Sequence, residues 1–236
     1  MSARAAVVLL AAGSGRRVGA DRNKVLLPLD GIPVLAHSVR TALDVEGAHR
    51  VVVVVRPGDR ADVADALAPH LGAHDVWVVD GGEERHDSEY RALRALRADI
   101  EGDEIDVVAI HDAARPLASA ALFRAVIDVA ATEGAAVPAV PAGRLSREDG
   151  SLAPDGLVAV QTPQAFEART LLAAYDAAAA DGFVGTDTAA CLERYADTTI
   201  RPVEGERRNL KITFPEDLRL AEELIVLTGA GPASAG

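Results

Sequence analysis

The chain of 236 residues is poor in several things. It has one cysteine, one methionine and one tryptophan, and aromatic residues make up 3% of it. A lone cysteine, Cys191, excludes a disulfide within the chain and any cysteine-based zinc centre. It is expected to be a small buried hydrophobe. Positive charge is scarce as well: 24 lysines and arginines face 36 acids, a formal net charge of −12. That balance argues against nucleic acid as the main partner. No apolar run approaches the roughly 20 residues that span a bilayer. The short apolar stretch after Arg4 leads straight into a glycine loop, unlike a signal peptide. The expectation is a cytoplasmic protein with neither a membrane nor a nucleic-acid partner.

Alanine and valine dominate what is there, and they are arranged in alternating segments. Apolar runs over residues 7–10, 50–55, 76–79, 106–110 and 135–140 predict buried strands. Helices are predicted between them, over 33–45, 59–71, 88–96 and 119–132. Such alternation predicts an α/β fold: a doubly wound, mostly parallel, Rossmann-like sheet with right-handed crossovers. The length suits one domain over residues 1–228. Residues 141–156 are polar and turn-rich, and read as an arm leaving the sheet. A strand over 157–160, helices over 167–179 and 188–195, a strand over 199–203 and a helix over 215–227 follow. The small, polar tail 229–236 is expected to be disordered.

Ligands of open α/β sheets lie at the carboxyl ends of the strands. The first end reads Ala11-Ala12-Gly13-Ser14-Gly15-Arg16-Arg17-Val18-Gly19, with Lys24 close behind. Its glycines let backbone amides approach a ligand, and its cations suit a polyphosphate. A dinucleotide loop would carry its third glycine one residue earlier and an acid about 20 residues on; neither is present. The Gly-Lys-Ser/Thr of a P-loop is also missing. Three further strand ends are polar: Asp80-Gly81-Gly82-Glu83-Glu84-Arg85 with Ser88, His111-Asp112-Ala113-Ala114-Arg115-Pro116, and Gln161-Thr162-Pro163-Gln164. Singly, each is a cap or a turn, and Ser88 is a candidate helix N-cap. Together with a cationic loop they predict one site.

These blocks, with Asn209-Leu210-Lys211-Ile212-Thr213-Phe214-Pro215, resemble the bacterial 2-C-methyl-D-erythritol 4-phosphate cytidylyltransferase family, which has cousins acting on ribitol 5-phosphate and small phosphonates. The resemblance implies transfer of CMP from CTP to a phosphorylated polyol, release of pyrophosphate, Mg²⁺ or another divalent cation, and a homodimer joined through the arm. It implies that Arg17, Lys24 and Lys211 are catalytic. Ala11, Ala12, Gly13, Ser14, Gly15, Arg16, Gly82, Glu83, Arg85, Ser88 and Asp112 would bind the nucleotide, Asp112 also approaching the metal. Thr162, Thr186 and Asp187 would lie on the acceptor side, and Arg115 would brace its loop. The arm departs from the family pattern. Its usual Asp-Thr pair is absent from Ala142-Gly143-Arg144-Leu145-Ser146-Arg147, and Pro154 stands where an arginine is usual. Arg144, Arg147, Arg207 or Arg208 are the candidates to compensate. Alternatives to methylerythritol phosphate are another polyol phosphate, a phosphonate, or a silent nucleotide-binding paralogue.

Overall fold

A computed structural model describes residues 2–13, 23–185 and 187–228. Ser14, Gly15, Arg16, Arg17, Thr186 and the tail 229–236 lie outside the described residues. The first strand, β1 (Ala5–Leu10), occupies the middle of the sheet. A short 3₁₀ turn (Lys24–Leu26) and a two-stranded hairpin, β2 (Pro28–Leu29) and β3 (Ile32–Pro33), lead into α1 (Val34–Leu43). Next come β4 (Ala48–Val55), α2 (Arg60–Leu67), β5 (Trp77–Asp80), α3 (Arg85–Glu101), β6 (Val107–Asp112), α4 (Ala120–Glu133) and β7 (Ala135–Pro141). The remainder is β8 (Val158–Val160), β9 (Gln164–Glu167), α5 (Ala168–Asp181), α6 (Thr188–Tyr195), β10 (Ile200–Glu204) and α7 (Pro215–Thr228).

The strand order is β10-β7-β9-β6-β1-β4-β5, with β8 paired to β7. β1 runs parallel to both β4 and β6, β4 to β5, and β7 to β10. One strand breaks the pattern: β9 is antiparallel to both β6 and β7, between which it lies. The predicted sheet is therefore found, with β9 added. Gln161-Thr162-Pro163-Gln164 still reaches the functional edge because an antiparallel strand begins where its parallel neighbours end.

Alternate side chains of the valine-rich strands go to opposite faces, as a strand of period two requires. Val7, Leu9, Val53 and Val55 pack with Leu35, Val39, Phe123 and Val126 under α1 and α4. Ala6, Val8, Val52 and Val54 pack with Leu93, Leu96, Leu171 and Tyr175 under α3 and α5. A third cluster sets Ile212 among Leu29, Val34, Ala221 and Ile225, joining α7 to the β2–β3 hairpin. Burying Ile212 fully stabilises by about 2 kcal/mol and fixes the position of its neighbour Lys211.

The arm after β7 is a hairpin. Ser146 bridges Leu152, Arg147 N–H donates to Ser151 O (2.8 Å), and Ala142 N–H donates to Leu157 O (3.1 Å). Leu145, Leu152, Leu157, Val158 and Val160 are exposed along it.

Candidate active site

A cleft of about 860 Å³ opens at the carboxyl ends of β1, β4, β5 and β6. It is lined by Ala12, Gly13, Lys24, Arg56, Gly81, Gly82, Glu83, Arg85, Ser88, Arg91, Asp112, Lys211 and others. Four segments far apart in sequence therefore meet there.

The first segment is the end of β1. Ala11 N–H donates to Val54 O (2.8 Å), extending the β4 pairing past the strand. Ala11 O accepts from Asn23 Nδ2 (2.9 Å), which also donates to Asp59 Oδ2 (3.0 Å). Buried Asn23 thus ties the far end of the glycine loop back to its start. Sequence reasoning missed it; the one signal was its place next to Lys24. Lys24 Nζ reaches across the cleft to donate to Ile212 O (2.8 Å).

The second segment is Gly81–Ser88. Gly81 N–H donates to Val55 O (2.7 Å). A Cβ on Gly81 would stand 2.8 Å from both Ala12 Cβ and Ser88 Oγ, so only glycine lets this turn close against the β1 loop. A Cβ on Gly82 would meet Asp87 Cβ at 2.1 Å. Helix α3 begins three residues before the predicted Ser88, because Glu84 and Asp87 form a capping box; Asp87 Oδ2 accepts from Glu84 N–H (3.3 Å). Ser88 is therefore not the N-cap. Its hydroxyl accepts from Gly82 N–H (3.1 Å) and donates to Glu84 O (3.1 Å), holding the glycine turn against the first turn of the helix.

The third segment ends β6. Asp112 meets three cations: Arg85 Nη1 on Oδ1, Lys211 Nζ on Oδ2 (2.7 Å), and Arg115 Nε 4.0 Å from Oδ2. Burial opposes its ionisation, but the nearby Arg85 and Lys211 more than offset this and hold the carboxyl well below the usual range. Arg85 in turn is held charged by Asp112 and Glu89, against the cost of its own burial. Behind Asp112 runs a directed chain. Asp112 N–H donates to Thr162 Oγ1 (3.0 Å), and the Thr162 hydroxyl donates to His111 Nδ1 (3.1 Å). His111 Nε2–H donates to Arg115 O (3.1 Å). The Arg115 carbonyl can only accept, which puts a proton on His111 Nε2, and in the neutral ring that leaves Nδ1 to accept from Thr162. Burial agrees, lowering the His111 pKa to about 4.

The fourth segment brings Lys211. Asn209 Nδ2 donates to Thr162 O (2.8 Å), Arg115 Nη1 donates to Asn209 O (2.7 Å), and Ile212 N–H donates to Ala114 O (2.8 Å). Gln161 Nε2 donates to Glu206 O (2.8 Å), while Glu206 accepts from Ser119 N–H (3.2 Å) and from the Ser119 hydroxyl. Arg115 thus ties the end of β6 to the Asn209 segment. Glu206 was not legible, since a glutamate in a polar loop carries no signal of burial.

The cleft thus gathers Ala12, Gly13, Lys24, Gly82, Glu83, Arg85, Ser88, Asp112 and Lys211 of the residues expected there. Thr162 is buried behind Asp112, and Asp187 caps α6 by accepting from Ala190 N–H (2.8 Å). On the arm, Arg147 Nη1 donates to Ser151 Oγ (3.1 Å) and Leu152 O (3.0 Å), which ties it to its own hairpin. Arg208 pairs with Glu206 at 3.5 Å.

A doubly wound sheet whose strand ends offer glycine turns, two lysines and three arginines around one cleft has the make-up of a nucleotide-handling transferase. Those lysines are the whole lysine content of the chain. The family model for 2-C-methyl-D-erythritol 4-phosphate cytidylyltransferase matches residues 5–227. The enzyme of that name from Symbiobacterium thermophilum is 40% identical over 229 residues, covering 93% of this chain and 92% of the relative. The crystal structure of 2-C-methyl-D-erythritol 4-phosphate cytidylyltransferase from Thermus thermophilus superposes with a TM-score of 0.74 at 29% identity, covering 95% of this chain and 98% of that one. The 4-diphosphocytidyl-2C-methyl-D-erythritol synthase of Anaerococcus prevotii gives 0.77 at 26% identity, covering 94% and 96%. The chain belongs to the 2-C-methyl-D-erythritol 4-phosphate cytidylyltransferase family, and is a nucleotidyltransferase.

Proposed function

We propose that the protein joins CMP from CTP to 2-C-methyl-D-erythritol 4-phosphate and releases pyrophosphate, a step in making isoprenoid precursors. The observation that carries this reading is the convergence of the Gly81-Gly82 turn, Ser88, Asp112, Lys24 and Lys211 on one cleft in a chain of this family. A phosphate oxygen of the acceptor attacks the α-phosphorus of CTP, and the bond to the β-phosphate oxygen breaks. The attacking oxygen is largely ionised at neutral pH, so no general base is required. His111 agrees with this, being buried with both ring nitrogens engaged.

The barrier is electrostatic, and fixed cations lower it. Arg17 and Lys24 hold the triphosphate and stabilise the transition state, and Lys211 faces the α-phosphate from the other side. Backbone groups at Ala11, Ala12 and Gly82, with Ser88, read the cytosine edge. Asp112 meets the ribose and the metal region, while Thr162, Thr186 and Asp187 serve the acceptor side. Among the described residues no cluster of three acids, histidines or cysteines could hold a metal by itself. Asp112, Glu83 and Glu84 are the acids lining the cleft. That donor set fits Mg²⁺ shared with a triphosphate: Asp112 would help to hold it, and it would neutralise phosphate charge.

The exposed apolar residues of the arm, from Leu145 to Val160, are covered by a second copy of the chain, giving a homodimer working in the cytoplasm. The direct test supplies the purified protein with CTP, Mg²⁺ and methylerythritol phosphate and follows pyrophosphate. Turnover is expected. No turnover with it, beside turnover with ribitol 5-phosphate, would overturn the acceptor. Thermal stabilisation by GTP and not by CTP would overturn the base.

A further inference from the structure

Behind the cleft lies a buried carboxylate that the reaction just described does not use. Glu89 sits one turn along α3 from Arg85 and is 1% exposed. Its Oε1 accepts from Arg85 Nε (2.8 Å) and from Thr188 Oγ1 (2.9 Å), and its Oε2 accepts from the Tyr175 hydroxyl. Its partner Tyr175 belongs to a packed apolar cluster that also contains Cys191, whose thiol senses the Glu89 charge. A buried charge in such a place is costly, and an apolar residue of similar volume is often neutral or stabilising there. Stability therefore does not account for Glu89.

Its geometry does suggest a use. Arg85 has one face on Glu89 and one on Asp112, and Asp112 has one oxygen on Arg85 and one on Lys211. Acidic and basic groups alternate from the core to the cleft, Glu89, Arg85, Asp112, Lys211; burial raises the Glu89 pKa and Arg85 opposes that rise, while Arg115 Nε stands 4.0 Å from the oxygen that Lys211 holds. Because Glu89 holds Nε, the guanidinium meets Asp112 through Nη1 and leaves Oδ2 to Lys211. A guanidinium released from Glu89 can turn its fork and take both carboxylate oxygens, the arrangement that arginine–carboxylate pairs favour. Lys211 would then lose its resting partner.

We propose that Glu89 is a positioning residue for the transfer reaction: by holding Arg85 to a single oxygen of Asp112, it fixes where the Lys211 ammonium waits. Tyr175 and Thr188 belong to the same device, since they hold the carboxylate itself. The proposal rests on the reading of Lys211 as the cation facing the α-phosphate.

The test compares the parent with Glu89→Gln and Tyr175→Phe. Steady-state kinetics, thermal melting and acylation of lysine by a water-soluble active ester are measured, the last read by mass spectrometry on peptides carrying Lys24 and Lys211. Both variants are expected to stay folded. Glu89→Gln should lower kcat about tenfold with KM for CTP changed less than threefold, and should raise Lys211 labelling several-fold relative to Lys24. Tyr175→Phe should move both readouts the same way but less. Unchanged kcat and unchanged Lys211 labelling in Glu89→Gln would overturn the proposal, as would a loss of activity matched by a loss of folded protein. Should Glu89→Gln fail to fold, Tyr175→Phe decides by the same two readouts. A parent that does not turn over CTP refutes the proposed function instead, while Lys211 labelling still judges the positioning of the lysine.

Discussion

Protonation of His111 should be the step that makes this protein acid-sensitive. The ring is fully buried on β6 and is neutral in the native state, with Nε2–H given to Arg115 O and Nδ1 receiving the Thr162 hydroxyl. Burial lowers its pKa from 6.5 to about 4. In the unfolded chain the ring titrates near pH 6.5. Between those two values the unfolded state binds more protons than the native state, so stability falls as the pH drops through the window. At about 1.4 kcal/mol per pH unit, the loss across the window is about 3 kcal/mol. Replacing His111 with Gln removes the titration. It also costs stability at pH 7, on the order of 1–3 kcal/mol for buried polar partners left unpaired. The informative quantity is therefore the change with pH, not the level. Urea unfolding at pH 7 and pH 4.5 gives it for each protein. Asp112 and the ordinary carboxylates contribute equally to both and cancel in the difference. The parent should lose more stability than His111→Gln over that interval, by most of the 3 kcal/mol. Parallel losses in the two proteins would refute the argument, because His111 would then be protonated at similar pH folded and unfolded.

Two further perturbations separate catalysis from folding and the arm from the sheet. Lys211→Met should lower kcat/KM by about 10²–10³, the usual loss for one group stabilising developing charge. It should shift stability by no more than about 1 kcal/mol, since the Lys211 side chain is 39% exposed and Asp112 keeps Arg85; kinetics beside a melting curve decide. Leu152→Asp, at a side chain 60% exposed on the arm, should convert a dimer into a monomer in sedimentation velocity; a parent that is monomeric at working concentration would refute the arm as an interface.

The parts of the fold that were legible share one property. β1, β4 and β6 are buried on both faces, so their runs are unbroken and apolar and stand out from any surroundings. β9 was not legible because Gln164-Ala165-Phe166-Glu167 is short and polar at both ends, and its strand state comes from β6 and β7 on either side. The start of α3 was missed because Ser88 is a better cap by type than Glu84, yet the Ser88 hydroxyl is used to hold Gly82. In the site, glycine turns and strand-end charges were visible as local blocks. Asn23, Glu206 and Glu89 were not, because each has at least one partner 36 to 99 positions away. Charge on a helix looks like a wetted face until the tertiary packing closes over it, as it does over Glu89.

The inserted strand β9 also orders events during synthesis. While the ribosome has delivered only the chain up to β7, the flank of β6 that faces away from β1 has no hydrogen-bonding neighbour. It is apolar over Val107–Ile110, the kind of open edge that recruits strands from other chains. The gap closes only when residues 164–167 emerge, and Lys211 arrives later still. A nascent chain stalled before that point carries most of its sheet, but it lacks Lys211, the cation proposed to face the α-phosphate. On the proposed function, turnover waits until Lys211, in about the last ninth of the polypeptide, has joined the rest, and premature termination would leave an open-edged fragment without it.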